Sequence, residues 1–194
     1  MTPQLHAYGT HPSEFMHIYK PSTSKRLGKL AVIYHGGFFK KKYDLSLMTK
    51  MAIDLAKAGY LVANVEYPRV GEEYTCPQMI LSVYRSFDYA CMIDPTITDR
   101  TVIGHSAGGY YAQMLGIRSV YTDTELETEN PFTPTRVLSL APLTDLWRGQ
   151  QEGLSDEHDA IKRFIEGSAL KLPRKKDRIF YDSYSPINAK PEDC

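Results

Sequence analysis

A serine set between glycines, directly after a short apolar run, constrains this chain more than any other stretch. Thr101-Val102-Ile103 reads as a strand, Gly104-His105-Ser106-Ala107-Gly108-Gly109 as a sharp turn, and Tyr110 to Ser119 as a helix-compatible run. In that setting G-x-S-x-G is the pattern of a nucleophile elbow, with the serine at the apex of a strand-to-helix turn. The glycines have a steric reason. So tight a turn strains the backbone at the serine, and side chains at 104 and 108 would collide with the adjoining strand and helix. The turn exposes the hydroxyl, and the helix that follows offers free N–H groups where negative charge develops on a reacting oxygen.

A second glycine pair lies upstream. Leu30-Ala31-Val32-Ile33-Tyr34 is a continuous apolar run, as expected of a parallel strand buried on both faces. His35-Gly36-Gly37-Phe38-Phe39 follows it directly. Two glycines at the carboxyl end of such a strand let the backbone approach a ligand and turn its N–H groups toward it. That is the expected form of an oxyanion loop, in which His35 holds the loop rather than acting as a base.

The remaining chain alternates strand and helix. Glu14 to Lys20 reads as an edge strand, and Tyr60 to Tyr67 as a strand stopped by Pro68. Between them Asp44 caps a helix carrying Leu45, Met48, Ala52 and Leu55, ended by Lys57 and Gly59. Pro77 suits a first helical turn, after which Ile80, Val83, Tyr84, Phe87 and Cys91 form one apolar face; Asp94-Pro95 breaks that helix. Tyr121 to Thr135 is a polar surface loop, and Arg136 to Pro142 reads as another short buried strand. Asp145 is a helix cap, Ser155 to Glu166 a helix with Ser155 as its cap, and Leu170 to Arg178 a solvated basic stretch. This alternation predicts a mostly parallel sheet with helices on both faces. Both glycine loops then fall at the carboxyl edge, where open α/β sheets bind ligands, and face one another across a single site.

Composition narrows the partners. Among 194 residues, 23 basic and 23 acidic side chains cancel, so no global field favours nucleic acid or an acidic membrane surface. Cys76, Cys91 and Cys194 lie far apart without metal-ligand spacing, which suits a reducing compartment. Met1 to Thr10 lacks a basic-then-apolar signal pattern, and no apolar run approaches the roughly 18 residues that would span a bilayer. The expectation is a soluble, cytoplasmic protein without cofactor or metal, with His6, His11 and His17 as surface histidines.

Taken together, these motifs resemble the α/β-hydrolases, and more narrowly the esterase, lipase and arylformamidase-like group with an H-G-G oxyanion loop. The resemblance is carried by His35-Gly36-Gly37, by Asn64 to Gly71, by Gly104 to Gly109, by Leu138 to Leu146 and by Tyr184-Ser185-Pro186-Ile187. It runs from about Tyr8 to the end in the group's order. It implies a three-layer α/β/α fold and a single partial domain over 1–194, with a helical insertion at about 143–183. It also implies Ser106 as nucleophile, with the N–H groups of Gly37, Phe38 and Ala107 as the oxyanion hole. Gly36, Gly104, Gly108 and His35 would support the two loops. The substrate would be a small carboxylic ester or amide, an aryl formamide included, and Phe38, Phe39 and Trp147 are candidates for its pocket or, equally, for ordinary core packing.

One departure qualifies this. The resemblance places a triad acid and a histidine after the Ser-Pro segment, in the order Ser, Asp or Glu, His. Here the chain ends at Cys194, and no histidine occurs after His158. The expectation is therefore a C-terminally truncated hydrolase lacking the last two strands and helices. His158, between acidic neighbours, is the candidate for a substitute base, with an exposed helix histidine as its default reading; His105 is too close to Ser106 along the turn to reach its hydroxyl. A catalytically incomplete relative that only binds ligand is the alternative. Losing two strands would also bare an apolar sheet edge; a remnant that does not fold stably is then a third reading, and a homodimer through that edge is one escape from it.

Overall fold

The structure, a computed structural model, describes residues 1–121, 126–129, 131–154, 159–166 and 178–190. Among the described residues, six strands form one sheet: β1 (Gln4–Ala7), β2 (Phe15–Tyr19), β3 (Lys29–Tyr34), β4 (Leu61–Val65), β5 (Asp99–His105) and β6 (Arg136–Leu140). Their order is β1-β2-β4-β3-β5-β6. β1 and β2 are antiparallel additions, whereas β4, β3, β5 and β6 run parallel. The helices are α1 (Thr49–Lys57), α2 (Cys76–Ile93), α3 (Ala107–Gly116), α4 (Leu146–Gln151), α5 (Ala160–Glu166) and α6 (Arg178–Ser183).

The layers follow from the two-residue period of a strand. On β3, Leu30, Val32 and Tyr34 pack into one core with residues of α2 and α3, including Val83, Phe87, Tyr111 and Leu115. Ala31 and Ile33 face the other way, against Ala52 and Ala56 of α1. A run apolar at every position is thus what a strand covered on both faces requires. The three-layer, mostly parallel α/β arrangement expected from the alternation is the one observed.

Two strand readings need correction. Glu14 to Lys20 is not an edge: β2 is flanked by β4 and by β1, an outer strand whose mostly exposed Gln-Leu-His-Ala leaves no strand pattern to recognise. Arg136 to Leu140 is a strand but is not buried. It ends the sheet, with Leu138 and Leu140 exposed at 48% and 44%. Its alternation is the same for a central and an edge strand, so only its neighbours decide its burial.

Helix boundaries follow local chemistry. The Asp44 carboxylate accepts the Ser46 N–H at 2.8 Å, capping a 3-10 turn that runs into α1. At α2, the Thr75 hydroxyl accepts from Gln78 N–H while the Gln78 side chain accepts from Thr75 N–H, a capping box with Pro77 in the first turn. Thr75→Ala is expected to cost about 1 kcal/mol in urea unfolding without changing the denaturant slope. Asp145 caps α4 by accepting Arg148 N–H at 2.8 Å. α4, α5 and α6 all fall between 143 and 183. Ser155 and residues 170–177 of the basic stretch lie outside the described residues. Among the described residues, no helix is long and apolar enough to cross a membrane.

Candidate active site

Ser106 sits between β5 and α3 with φ 53° and ψ −116°. A positive φ on a non-glycine residue costs on the order of 1–3 kcal/mol, so the surroundings must impose it. They do so from both sides. Ser106 N–H donates to the Leu140 carbonyl of β6 at 2.8 Å, and the Ser106 carbonyl accepts Tyr110 N–H at 3.0 Å, starting α3. The flanking glycines are obligatory. A Cβ on Gly104 would stand 2.0 Å from the Gly108 carbonyl oxygen, and one on Gly108 would stand 2.2 Å from the Tyr34 carbonyl oxygen. Ser106 is half-buried at the carboxyl edge of the sheet. Ala107, the first residue of α3, has an N–H with no intrahelical acceptor.

The His35-Gly36-Gly37 loop lies directly against this turn. A Cβ on Gly36 would be 3.1 Å from Ser106 Cβ and 2.9 Å from His105 Nδ1. Gly37 has φ 124° and is wedged on Tyr43, where a Cβ would come within 2.5 Å of the tyrosine Cβ. Phe38 and Phe39 then take φ of 49° and 59°, and Lys40 N–H closes the turn onto the Gly37 carbonyl at 2.9 Å. Two successive positive φ values make a mirror-image turn, which ordinarily selects Gly or Asn. Two phenylalanines held this way mark a loop fixed by its surroundings rather than by its own preference. Val70 N–H, donating to the Phe39 carbonyl at 2.9 Å, is one of the restraints.

Behind the loop is a buried charged network. His35 Nε2 is 3.1 Å from Glu66 Oε1, and its Nδ1 is 2.7 Å from the Gly36 carbonyl oxygen. The Tyr67 ring stacks on the imidazole at 4.4 Å, and its hydroxyl donates to the His35 carbonyl at 2.6 Å. Arg69 reaches Glu66 at 2.9 Å and Glu72 at 3.1 Å. Burial alone would raise the Glu72 carboxyl, but hydrogen bonds from Arg69 and Ser13 outweigh it and hold that carboxyl below its usual range. His35 is thus bonded both to the backbone of the loop it begins and to the end of the neighbouring strand's segment. From sequence, Glu66, Tyr67 and Arg69 stand inside the Asn64 to Gly71 stretch that carries the resemblance, but with no role of their own. The available signal was a glutamate and an arginine placed immediately after a buried strand.

The other candidates separate. Phe39 is not a pocket residue: it stacks on Phe164 at 3.9 Å inside the aromatic core, where Tyr110 and Tyr111 also meet it edge-on. Phe38 is half-buried beside a cavity of about 210 Å³ shared with Lys40, Val70, Ala160 and Arg163. Trp147 packs edge-on against Tyr181 at 5.5 Å. His158 lies outside the described residues. The described histidines with hydrogen bonds make them elsewhere than at Ser106: His6 with the Tyr89 hydroxyl, His11 with Ser13 N–H, and His35 as above. Among the described residues, no cluster of three or more His, Cys, Asp or Glu side chains could hold a metal ion.

Parallel strands feeding a strained serine turn, with a glycine loop packed on that serine, define an α/β-hydrolase fold. Solved structures agree on the fold. A protein described as a candidate thioesterase from Silicibacter sp. TM1040 superposes with a TM-score of 0.71 at 21% identity, over 98% of this chain and 62% of its own. Inhibited esterase B from Lactobacillus rhamnosis gives 0.72 at 18%, over 97% and 63%. Thermogutta terrifontis esterase 2, phosphonylated by sarin, gives 0.68 at 16%, over 96% and 67%. The chain thus spans a little over three fifths of the length of these proteins. No curated protein matches the sequence. The BD-FAE family model matches residues 16–189, and the chain belongs to that family.

Proposed function

We propose that this chain carries the nucleophile and oxyanion half of a serine esterase acting on small carboxylic esters. The observation behind the reading is Ser106 at φ 53° on the elbow, with Gly36 packed against it. The Ser106 hydroxyl oxygen would attack the ester carbonyl carbon as its proton passes to a base. The carbonyl oxygen, now negative, would be met by the N–H groups of Gly37, Phe38 and Ala107. Collapse expels the alcohol and leaves an acyl-serine, which water hydrolyses. One such donor is worth about 2.7–4 kcal/mol of transition-state stabilisation. The esterase names of the structural neighbours support the class, and esterases captured with a phosphonate or with sarin suggest the probe to use. Amides, aryl formamides among them, extend the same chemistry and belong in the first substrate panel.

A second reading is favoured by where the described histidines bond. Without a base at Ser106 the chain would bind an ester and not turn it over. A fluorophosphonate probe separates the two. Labelling of the folded protein that disappears in Ser106→Ala is the expected result. A protein that shows a cooperative unfolding transition yet takes no label is the binding-only relative instead.

A further inference from the structure

We propose that His35 is held as an imidazolium, both ring nitrogens donating, and that this buried cation sets the direction of the Gly37 N–H. Only the catalytic consequence rests on the esterase reading; the charge state stands on the hydrogen bonds. Nδ1 lies 2.7 Å from the Gly36 carbonyl oxygen, which can only accept, so Nδ1 carries a proton. Nε2 lies 3.1 Å from Glu66 Oε1. The Glu66 carboxylate also receives Leu45 N–H at 2.9 Å and Tyr67 N–H at 3.2 Å, and it pairs with the Arg69 guanidinium at 2.9 Å. Its oxygens already face donors on both sides, which fits an ionised carboxylate and leaves Nε2 to donate. A neutral ring would press a lone pair against one of two acceptors at a residue only 1% exposed.

The surroundings balance the charge. Two carboxylates, Glu66 and Glu72, meet two buried cations, His35 and Arg69; Lys41 approaches Glu72 at 3.8 Å from the surface. Tyr67 covers the ring face. Asp44, from the following turn, is held low first by its hydrogen bonds to Ser46 and further by the charge of His35. The consequence follows from peptide planarity: the Gly36 carbonyl and the Gly37 N–H point in opposite directions. Clamping that carbonyl onto Nδ1–H turns the Gly37 N–H away from His35 and fixes it there. Glu66 and Arg69, which touch no substrate, are then positioning residues for the oxyanion loop.

The test is proton-detected correlation of the histidine ring nitrogens in the full chain, labelled with ¹⁵N at histidine. One buried histidine is expected to show two ring N–H protons at neutral pH, both protected from exchange. Glu66→Gln, which keeps the volume and one acceptor, is expected to remove one of them. A wild-type ring with one bare nitrogen at neutral pH overturns the proposal, whether or not the variant folds. Two ring protons in a protein that takes no fluorophosphonate would retain the imidazolium and remove the esterase reading. Labelling with a single ring proton would do the reverse.

Discussion

Gly108→Ala is expected to lose more than about 4 kcal/mol of stability, or to abolish folding, because the added methyl has nowhere to go. Its Cβ would lie 2.2 Å from the Tyr34 carbonyl oxygen and 2.5 Å from that of His35. Both are backbone atoms at the end of β3, which pairs with β4 and β5 through Tyr34, so relief requires moving the sheet's centre. Gly28→Ala is the control. That glycine has φ 65° with nothing within 4 Å of the added Cβ, so only the left-handed strain of about 1–2 kcal/mol applies. Urea midpoints of the two variants measure the difference directly. Equal losses would mean that the sheet end gives way to a side chain at 108 and that the steric account of this glycine is wrong.

Glu66→Ala is expected to cost about 3–5 kcal/mol, the range for breaking a buried ion pair from one side. The loss leaves Arg69 and His35 as buried donors and strips the acceptor from Leu45 N–H. Removing a carboxylate is worse here than replacing it. Glu66→Gln retains a carbonyl acceptor and the packing volume, so its loss should be clearly smaller. Denaturant unfolding of both variants gives the comparison, and a loss under about 1 kcal/mol for Glu66→Ala would show that solvent reaches the network. The effect on Ser106 should parallel stability only in part. A loop that survives folding but has lost its clamp would label with fluorophosphonate more slowly than wild type.

How much of this was legible depends on how local each constraint is. The elbow could be read from six residues because its demand is steric and its partners are neighbours: Gly104 meets Gly108 within the same turn. The apolar face of α2 could be read for the same kind of reason, since Ile80, Val83, Tyr84, Phe87 and Cys91 recur at helical spacing and all are buried. Whether Phe39 lines a pocket or the core could not be read locally, because the pattern H-G-G-F-F does not say which phenylalanine points inward. That was decided by Phe164, far along the chain, on which Phe39 stacks. β6 was expected to be buried because Val137, Leu138 and Leu140 look alike whether or not another strand lies beside them.

What the sequence by itself determined was the backbone: parallel strands covered on both faces, a strained serine turn and a glycine loop, all fixed by periodicity and by the absence of a Cβ. Only the tertiary structure decided which polar groups share a buried environment. His35 and Glu66 are 31 positions apart, and their 3.1 Å contact exists because β3 and β4 lie side by side in register. Steric rules act over a few bonds and are written in adjacent residues. Charge pairing acts through space, and the chain specifies it only once the sheet has formed.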